Sequence, residues 1–277
     1  MRFYSIFKYV FILIVFTGTA FPAAEAQRIE DNPIEMQGVT IEERLGSRIP
    51  LNLRFINESG EVIRLHDYFD RGKPVIITLV YYNCPMLCTL VLNTLTEAMQ
   101  NIDLTPGEDF SVATISIDQR ETPELASAKK TRYEQVYGRP LHDGWHFHTG
   151  NEEDIQELAD ALGFQYYFDE KQDQFVHPAA AFVLTEDGTI SRYLYGIDFN
   201  PRDLRLALLE ASEGKIGSTV DRLILYCFHY DPEAKGYVVF AGNLMRIGGA
   251  VTLVLLSLLI GTLWLKERFK KSAANAR

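Results

Sequence analysis

The sequence predicts an α/β domain with a central mixed sheet covered by helices on both faces, followed by one C-terminal transmembrane helix. Three observations lead there. Residues 75–82 read VIITLVYY, a run of β-branched and aromatic side chains that suits a strand buried on both faces in the middle of a sheet. From Met86 the apolar residues Leu87, Leu90, Val91, Leu95, Ala98 and Met99 recur at helical spacing instead. Strand-like and helix-like stretches then alternate as far as Ser212, and residues 248–265 run without a charge.

At the start of the chain, Arg2 and Lys8 flank the beginning of an apolar run, and Ala24 and Ala26 place small residues two apart before Gln27. Residues 1–26 thus have the layout of a secretory signal peptide cleaved after Ala26, with an uncleaved anchor as the alternative. Residues 27–48 are polar and serve as a tether. Residues 49–214 are long enough for a single core, and 215–247 form a juxtamembrane segment. As a helix, 248–265 is about 27 Å long, close to the hydrocarbon thickness of a bilayer. Arg246 marks one edge, and Trp264, Lys266, Arg268, Lys270 and Lys271 mark the other. The basic tail, 266–277, belongs on the cytoplasmic side, which leaves the main domain outside the cytoplasm.

The whole chain carries a formal charge of −10. Residues 27–265 alone hold 20 basic against 35 acidic side chains, a formal charge of −15. Such a surface repels a phosphate backbone, so nucleic acid is excluded as a partner.

Within the domain, residues 51–55 alternate apolar and polar, NESG turns the chain, and 61–65 return as the second strand of a hairpin. The strand at 75–82 and the helix from Met86 follow. A further apolar strand spans 109–117 and ends at Asp118. Thr122 is the expected N-cap of a helix over 123–137, with Pro123 in its first turn. Residues 141–150, LHDGWHFHTG, read as a loop, and Asn151 caps the helix that follows. Residues 166–168 suit a strand. Residues 179–184 and 190–195 form a hairpin closed by Glu186, Asp187 and Gly188, and a last helix covers 201–212.

Cys84 falls at or just before the first turn of the cysteine helix, where unpaired N–H groups and partial positive charge favour a thiolate. Pro85 suits the first helical position. Cys84 and Cys88 are four apart, so on helical turns their Cβ atoms lie roughly 5 to 6 Å from each other. A disulfide needs a closer approach, whereas two thiolates at that separation can converge on a soft ion such as Cu(I), with a third ligand completing a trigonal site. In an oxidising compartment the pair stays reduced only with a reductant or a bound metal.

The stretches YYNCPMLC, SIDQRETPE, GWHFHTG and FVHPAAAFVLTEDGTISRYLYG closely resemble the SCO family, thioredoxin-fold proteins involved in assembling the copper centre of cytochrome c oxidase. The resemblance covers about residues 49–211. It implies a thioredoxin-like fold, a Cu(I) or Cu(II) site formed by Cys84, Cys88 and His177, and a periplasmic domain tethered to the bacterial inner membrane. It implies as partners the copper-containing oxidase subunit and a copper donor or thiol reductant protein. A thioredoxin-like strand order would bring His177, just before an apolar strand, beside Cys84.

Two departures bear on this. Thr89 stands where the family usually has proline. Val176 and Pro178 flank His177 where the family usually has aspartate and serine, which removes a carboxylate that could orient the imidazole and gives weight to thiol exchange. Pro178 is similar in placement to the cis-proline of thioredoxins, so a cis His177–Pro178 bond is expected.

Other residues stay open at this level. His146 and His148 point the same way if their segment is extended, and with His142 they form either a second metal site or a loop beside Trp145. Asp118 either tunes the site or closes a turn. Cys227 either pairs with another chain, binds copper together with His229, or packs near the membrane surface with Phe228 and Tyr230. Three functions follow: copper delivery to the oxidase, thiol-disulfide exchange in which Cys84 attacks and Cys88 resolves, and a non-catalytic scaffold.

Overall fold

The computed structural model describes residues 39–69, 71–84, 87–213, 228–231, 236–239, 245–246, 248–259 and 261–262. Seven strands form one sheet in the order β2-β1-β5-β4-β3-β8-β9. The strands are β1 Arg54–Asn57, β2 Val62–Arg64, β3 Val75–Val80, β4 Ser111–Ser116, β5 Trp145–Thr149, β8 Ala180–Leu184 and β9 Ile190–Tyr195. β3 runs parallel to β4 and antiparallel to β8, so the sheet is mixed, as expected. All six residues of β3 and all six of β4 are buried. Because successive side chains point to opposite faces, both faces of the sheet must be covered.

The helices are α1 Leu87–Gln100, α2 Pro123–Tyr137, α3 Glu152–Ala161 and α4 Pro201–Ala211. α1 packs beside α2 and α4. Just past α3, Phe164 meets Phe182 of β8 at a ring separation of 6.0 Å. Asn151 caps α3 as expected, its side chain accepting from the Asp154 N–H. Thr122 occupies the N-cap of α2 but makes no side-chain cap bond. Gly138 ends α2 at φ +69°, a left-handed conformation that glycine adopts without steric cost.

Three expectations need correction. Residues 145–149, expected in a loop, are an internal strand between β1 and β4; Trp145, Phe147, His148 and Thr149 are buried and His146 half-buried, but the two histidines disguise the strand by their polarity. The strand expected at 166–168 is half of a hairpin, β6 Tyr167–Asp169 with β7 Gln174–Val176, and β7 was missed. It is short and contains a single aromatic, Phe175, so no period-2 pattern can establish itself. No cis peptide is present among the described residues, so the His177–Pro178 bond is trans; a preceding imidazole does not impose the cis isomer, which the X–Pro bond disfavours by itself.

The signal peptide, the tether up to Gly38, Pro85, Met86, Cys227, Trp264 and the basic tail 266–277 lie outside the described residues. Residues 248–259 and 261–262 are helical, but among the described residues no helix is long and apolar enough to cross a membrane. Residues 228–231 and 236–239 form a separate antiparallel pair, β10 and β11.

Candidate metal centre

Three separate segments meet at one end of the central strand. β3 ends at Val80, residues 81–83 turn, and Cys84 follows just before α1. In the antiparallel register of β3 with β8, Thr78 faces Ala181, so the residues leading into β8 lie beside the end of β3. His177 is among them. The ligand atoms of Cys84, Cys88 and His177 all lie within 4.8 Å of one another, the one such group of three His, Cys, Asp or Glu side chains among the described residues.

Each ligand is held by backbone. The Cys88 N–H donates to Cys84 Sγ at 3.3 Å, so the helix start does point a donor at this sulfur, as the sequence placement suggested. The Tyr81 N–H donates to Cys88 Sγ at 3.3 Å. His177 Nδ1 lies 2.9 Å from the Pro178 carbonyl oxygen, which can only accept, and Nε2 lies 3.1 Å from Cys88 Sγ. That pairing places the imidazole proton on Nδ1 and turns the Nε2 lone pair towards the sulfurs. A backbone carbonyl therefore does the orienting that a neighbouring carboxylate does elsewhere.

Burial sorts the three. Cys88 and His177 are 2% and 3% exposed, whereas Cys84 is half-buried. Burial, reinforced by the neighbouring Cys84 sulfur, pushes the Cys88 thiol far above its ordinary value. Cys88 thus holds its proton until a cation or an electrophile replaces it.

The turn before Cys84 depends on Glu121, which the sequence reading did not single out. Its carboxylate accepts from the Tyr82 N–H and the Asn83 N–H, each at 2.7 Å, and from Ser116 Oγ at 2.6 Å. It is buried, and burial raises its pKa while these donors oppose the rise. Its presence in SIDQRETPE was visible, but nothing local shows that it folds back 38 residues to the cysteine turn. Tyr81 was equally unmarked; its ring stands edge-on to His177 at 5.8 Å.

The other candidates are not part of this group. Asp118 closes a turn, its carboxylate accepting from the Arg120 N–H and guanidinium. His142 pairs with Glu108 at 3.1 Å on the surface. His146 and His148 do lie side by side, ring centroids 6.3 Å apart, but both are engaged by other protein groups. His146 meets Glu58 Oε1 and the Asp143 carbonyl. His148 meets the Tyr68 hydroxyl and the Thr114 carbonyl. His229 lies in β10, away in sequence from all of these.

Two sulfurs and an imidazole nitrogen, with no carboxylate, make a donor set for a soft or borderline ion rather than for calcium or magnesium. The same two sulfurs can exchange with another thiol or disulfide. A family model described as SCO1/SenC matches residues 42–209. A crystal structure from Aquifex aeolicus VF5, assigned provisionally to electron transfer, is 28% identical with a TM-score of 0.53, covering 60% of this chain and 94% of that one. A SCO1/SenC family lipoprotein from Bacillus anthracis is 17% identical with a TM-score of 0.50, covering 63% and 98%. Arabidopsis thaliana ScoI with copper bound is 19% identical with a TM-score of 0.47, covering 61% and 98%. No curated protein matches the chain.

Proposed function

The chain belongs to the SCO1/SenC family, and on that premise we propose that it is a copper-binding protein of cytochrome c oxidase assembly, held at the outer face of a bacterial inner membrane, that delivers copper to the oxidase's copper centre. The observation that carries the reading is the convergence of Cys84, Cys88 and His177 ligand atoms within 4.8 Å. Copper here is cargo. Cys84 and Cys88 would hold it as thiolates, with His177 Nε2 as third ligand. Loading must remove the proton from buried Cys88, so uptake releases protons and is favoured by rising pH. Half-buried Cys84 is the ligand within reach of an incoming thiolate from the acceptor, and displacement there first leaves the ion on Cys88 and His177 until the acceptor's next ligand arrives. A three-donor site at the end of a sheet permits such exchange, where a closed four-ligand site resists it.

The proposed anchor is the span 248–265, supported by its 18 uncharged residues and by the basic side chains that follow. Resistance of the full chain to extraction from membranes at high pH, lost when 248–277 is removed, tests this part separately.

A second reading has its own support: the access difference between the two thiols. Cys84 is half-buried while Cys88 is buried, the asymmetry of an attacking and a resolving thiol. Cys84 would attack a disulfide of the acceptor, releasing one of its thiols. Cys88 would then attack the mixed disulfide, leaving the acceptor reduced by two electrons and a Cys84–Cys88 disulfide behind.

Titrating the reduced protein with Cu(I), read by competition with a chromophoric chelator, separates the two. The carrier reading expects one ion per chain, and a His177→Ala variant that binds on the order of a hundredfold more weakly. Absence of copper binding by the wild type would refute it, and unchanged binding by the variant would remove His177 from the ligand set.

A further inference from the structure

The hairpin that carries His177 is not part of the seven-stranded sheet. β6 and β7 form a sheet of their own, with Phe168 facing Phe175 across it, and His177 follows directly on the last residue of β7. A two-stranded ribbon with three residues in each strand is marginal by itself, so side-chain contacts must hold it against the body of the domain. Two sets of contacts do so. In the first, Phe175 meets Tyr81 at 5.7 Å and Tyr166 at 5.9 Å between ring centroids. In the second, the Arg120 guanidinium lies 4.8 Å from the centre of the Phe168 ring and 5.8 Å from that of Phe175, and it reaches the Asp173 carboxylate, between the two strands, at 3.7 Å.

Asp118 fixes that guanidinium from the body of the domain. Its two carboxylate oxygens accept from Arg120 Nε and Nη2, each at 2.8 Å, a two-point clamp that sets the plane of the group. One residue on, Glu121 accepts from the Tyr82 N–H and the Asn83 N–H of the cysteine turn. The turn after β4 therefore touches both halves of the site. We infer that Arg120 is a positioning residue for His177, pinning the β6–β7 hairpin to the turn whose next residue holds the approach to Cys84. The ion pair with Asp173 adds little, because both groups face solvent, the Asp173 side chain 84% exposed. Stacking on the two rings carries the hold, and for an exposed guanidinium it is worth about two- to fivefold in an equilibrium. This role deepens the copper reading and rests on it for one of its two measurements.

Both measurements use the full chain. Arg120→Ala removes the guanidinium and keeps the main-chain N–H that donates to Asp118. Without metal, amide hydrogen exchange in residues 167–177 is expected to run about two- to fivefold faster than in wild type, with the β8–β9 pair unchanged. Arg205→Ala breaks a different ion pair, that of Arg205 Nε with Asp103 at 2.7 Å, and is expected to leave exchange in 167–177 as it is. With Cu(I) and a competing chelator, Arg120→Ala is expected to bind about two- to fivefold more weakly than wild type, whereas adding it to His177→Ala is expected to weaken binding no further. Only an effect that acts through the imidazole vanishes in that background. Unchanged exchange in Arg120→Ala overturns the inference, as does an equal rise in Arg205→Ala, or a copper affinity that is unaltered or falls equally in both backgrounds. If the wild type binds no copper, the carrier reading fails, and the exchange comparison alone decides whether Arg120 pins the hairpin of His177.

Discussion

Two histidine sites share this sheet, and they differ in what is left of the imidazole. At the end of β8, His177 spends Nδ1 on a backbone carbonyl and turns Nε2 to a sulfur at 3.1 Å. On β5, His148 commits both nitrogens, Nε2 to the Tyr68 hydroxyl at 2.7 Å and Nδ1 to the Thr114 carbonyl at 3.2 Å. His146 commits both as well, to Glu58 and to the Asp143 carbonyl. A histidine becomes a ligand when one nitrogen is oriented by the protein and the other is left facing soft donors. On β5 the same side chains serve as internal hydrogen-bond links. Around them Glu58 is surrounded by Lys130, His146 and the Phe147 N–H, and although burial opposes it, this set of donors holds its carboxyl well below the usual range. One site keeps an imidazole nitrogen turned to the sulfurs; the other is closed by its own hydrogen bonds.

Exchanging ligands at the first site gives the largest expected effect. Cys88→Ser replaces the buried thiol by a hard hydroxyl, and Cu(I) affinity should fall by on the order of a hundredfold or more, whereas His148→Gln should leave affinity and stoichiometry unchanged. Chelator competition on both variants measures this. A comparable loss of copper in His148→Gln would erase the distinction between the two sites.

Acid should unfold the domain through the second site. Burial first, opposed by the bond to Thr114, lowers His148 to about 4 from an ordinary 6.5. The neutral ring is the one that fits, so its contribution is complete above about pH 6.5 and is lost as pH falls through 4, roughly 3 kcal/mol across that window. Glu58, also lowered, gives a second loss below about pH 4.5, where the unfolded carboxyl takes a proton first. Urea unfolding of the wild type at steps from pH 7 to 4 should show the decline, and His148→Gln should flatten it between 6.5 and 4. An equally steep decline in that variant would place the titrating group elsewhere.

Glu121 sharpens the contrast from the other direction. Glu121→Gln replaces one accepting oxygen by a donor facing main-chain N–H groups, and should cost about 1 to 3 kcal/mol of stability. Because the turn it holds leads directly into Cys84, copper affinity should fall too, by roughly tenfold. A stability loss without any change in affinity would show that the turn keeps its shape unaided. The smallest effect is expected at α3, where Asn151→Ala removes a cap worth about 1 kcal/mol and should leave copper binding and the acid profile as they are.

Local pattern was enough for much of this. The strand at 75–80, the cysteine helix, the capped α3, the 180–195 hairpin and the last helix follow from periods of 2 and 3.6 and from cap and turn residues, all of which act between near neighbours in the chain. The reactive placement of Cys84 follows for the same reason, since a helix start directs N–H groups locally. His177 was named through family resemblance, and its neighbourhood to the cysteines through an expected strand order. What only the folded chain decided are the meetings between distant segments. β5 became an internal strand because pairing with β1 and β4 buries Trp145 and Phe147, a gain that its histidines concealed in the sequence. Glu121 reached the cysteine turn, and the imidazoles were divided between one turned to the sulfurs and two bound as internal links. Each of these depends on which donors and acceptors sheet pairing brings within about 3 Å, a distance that the order of residues along a chain does not contain.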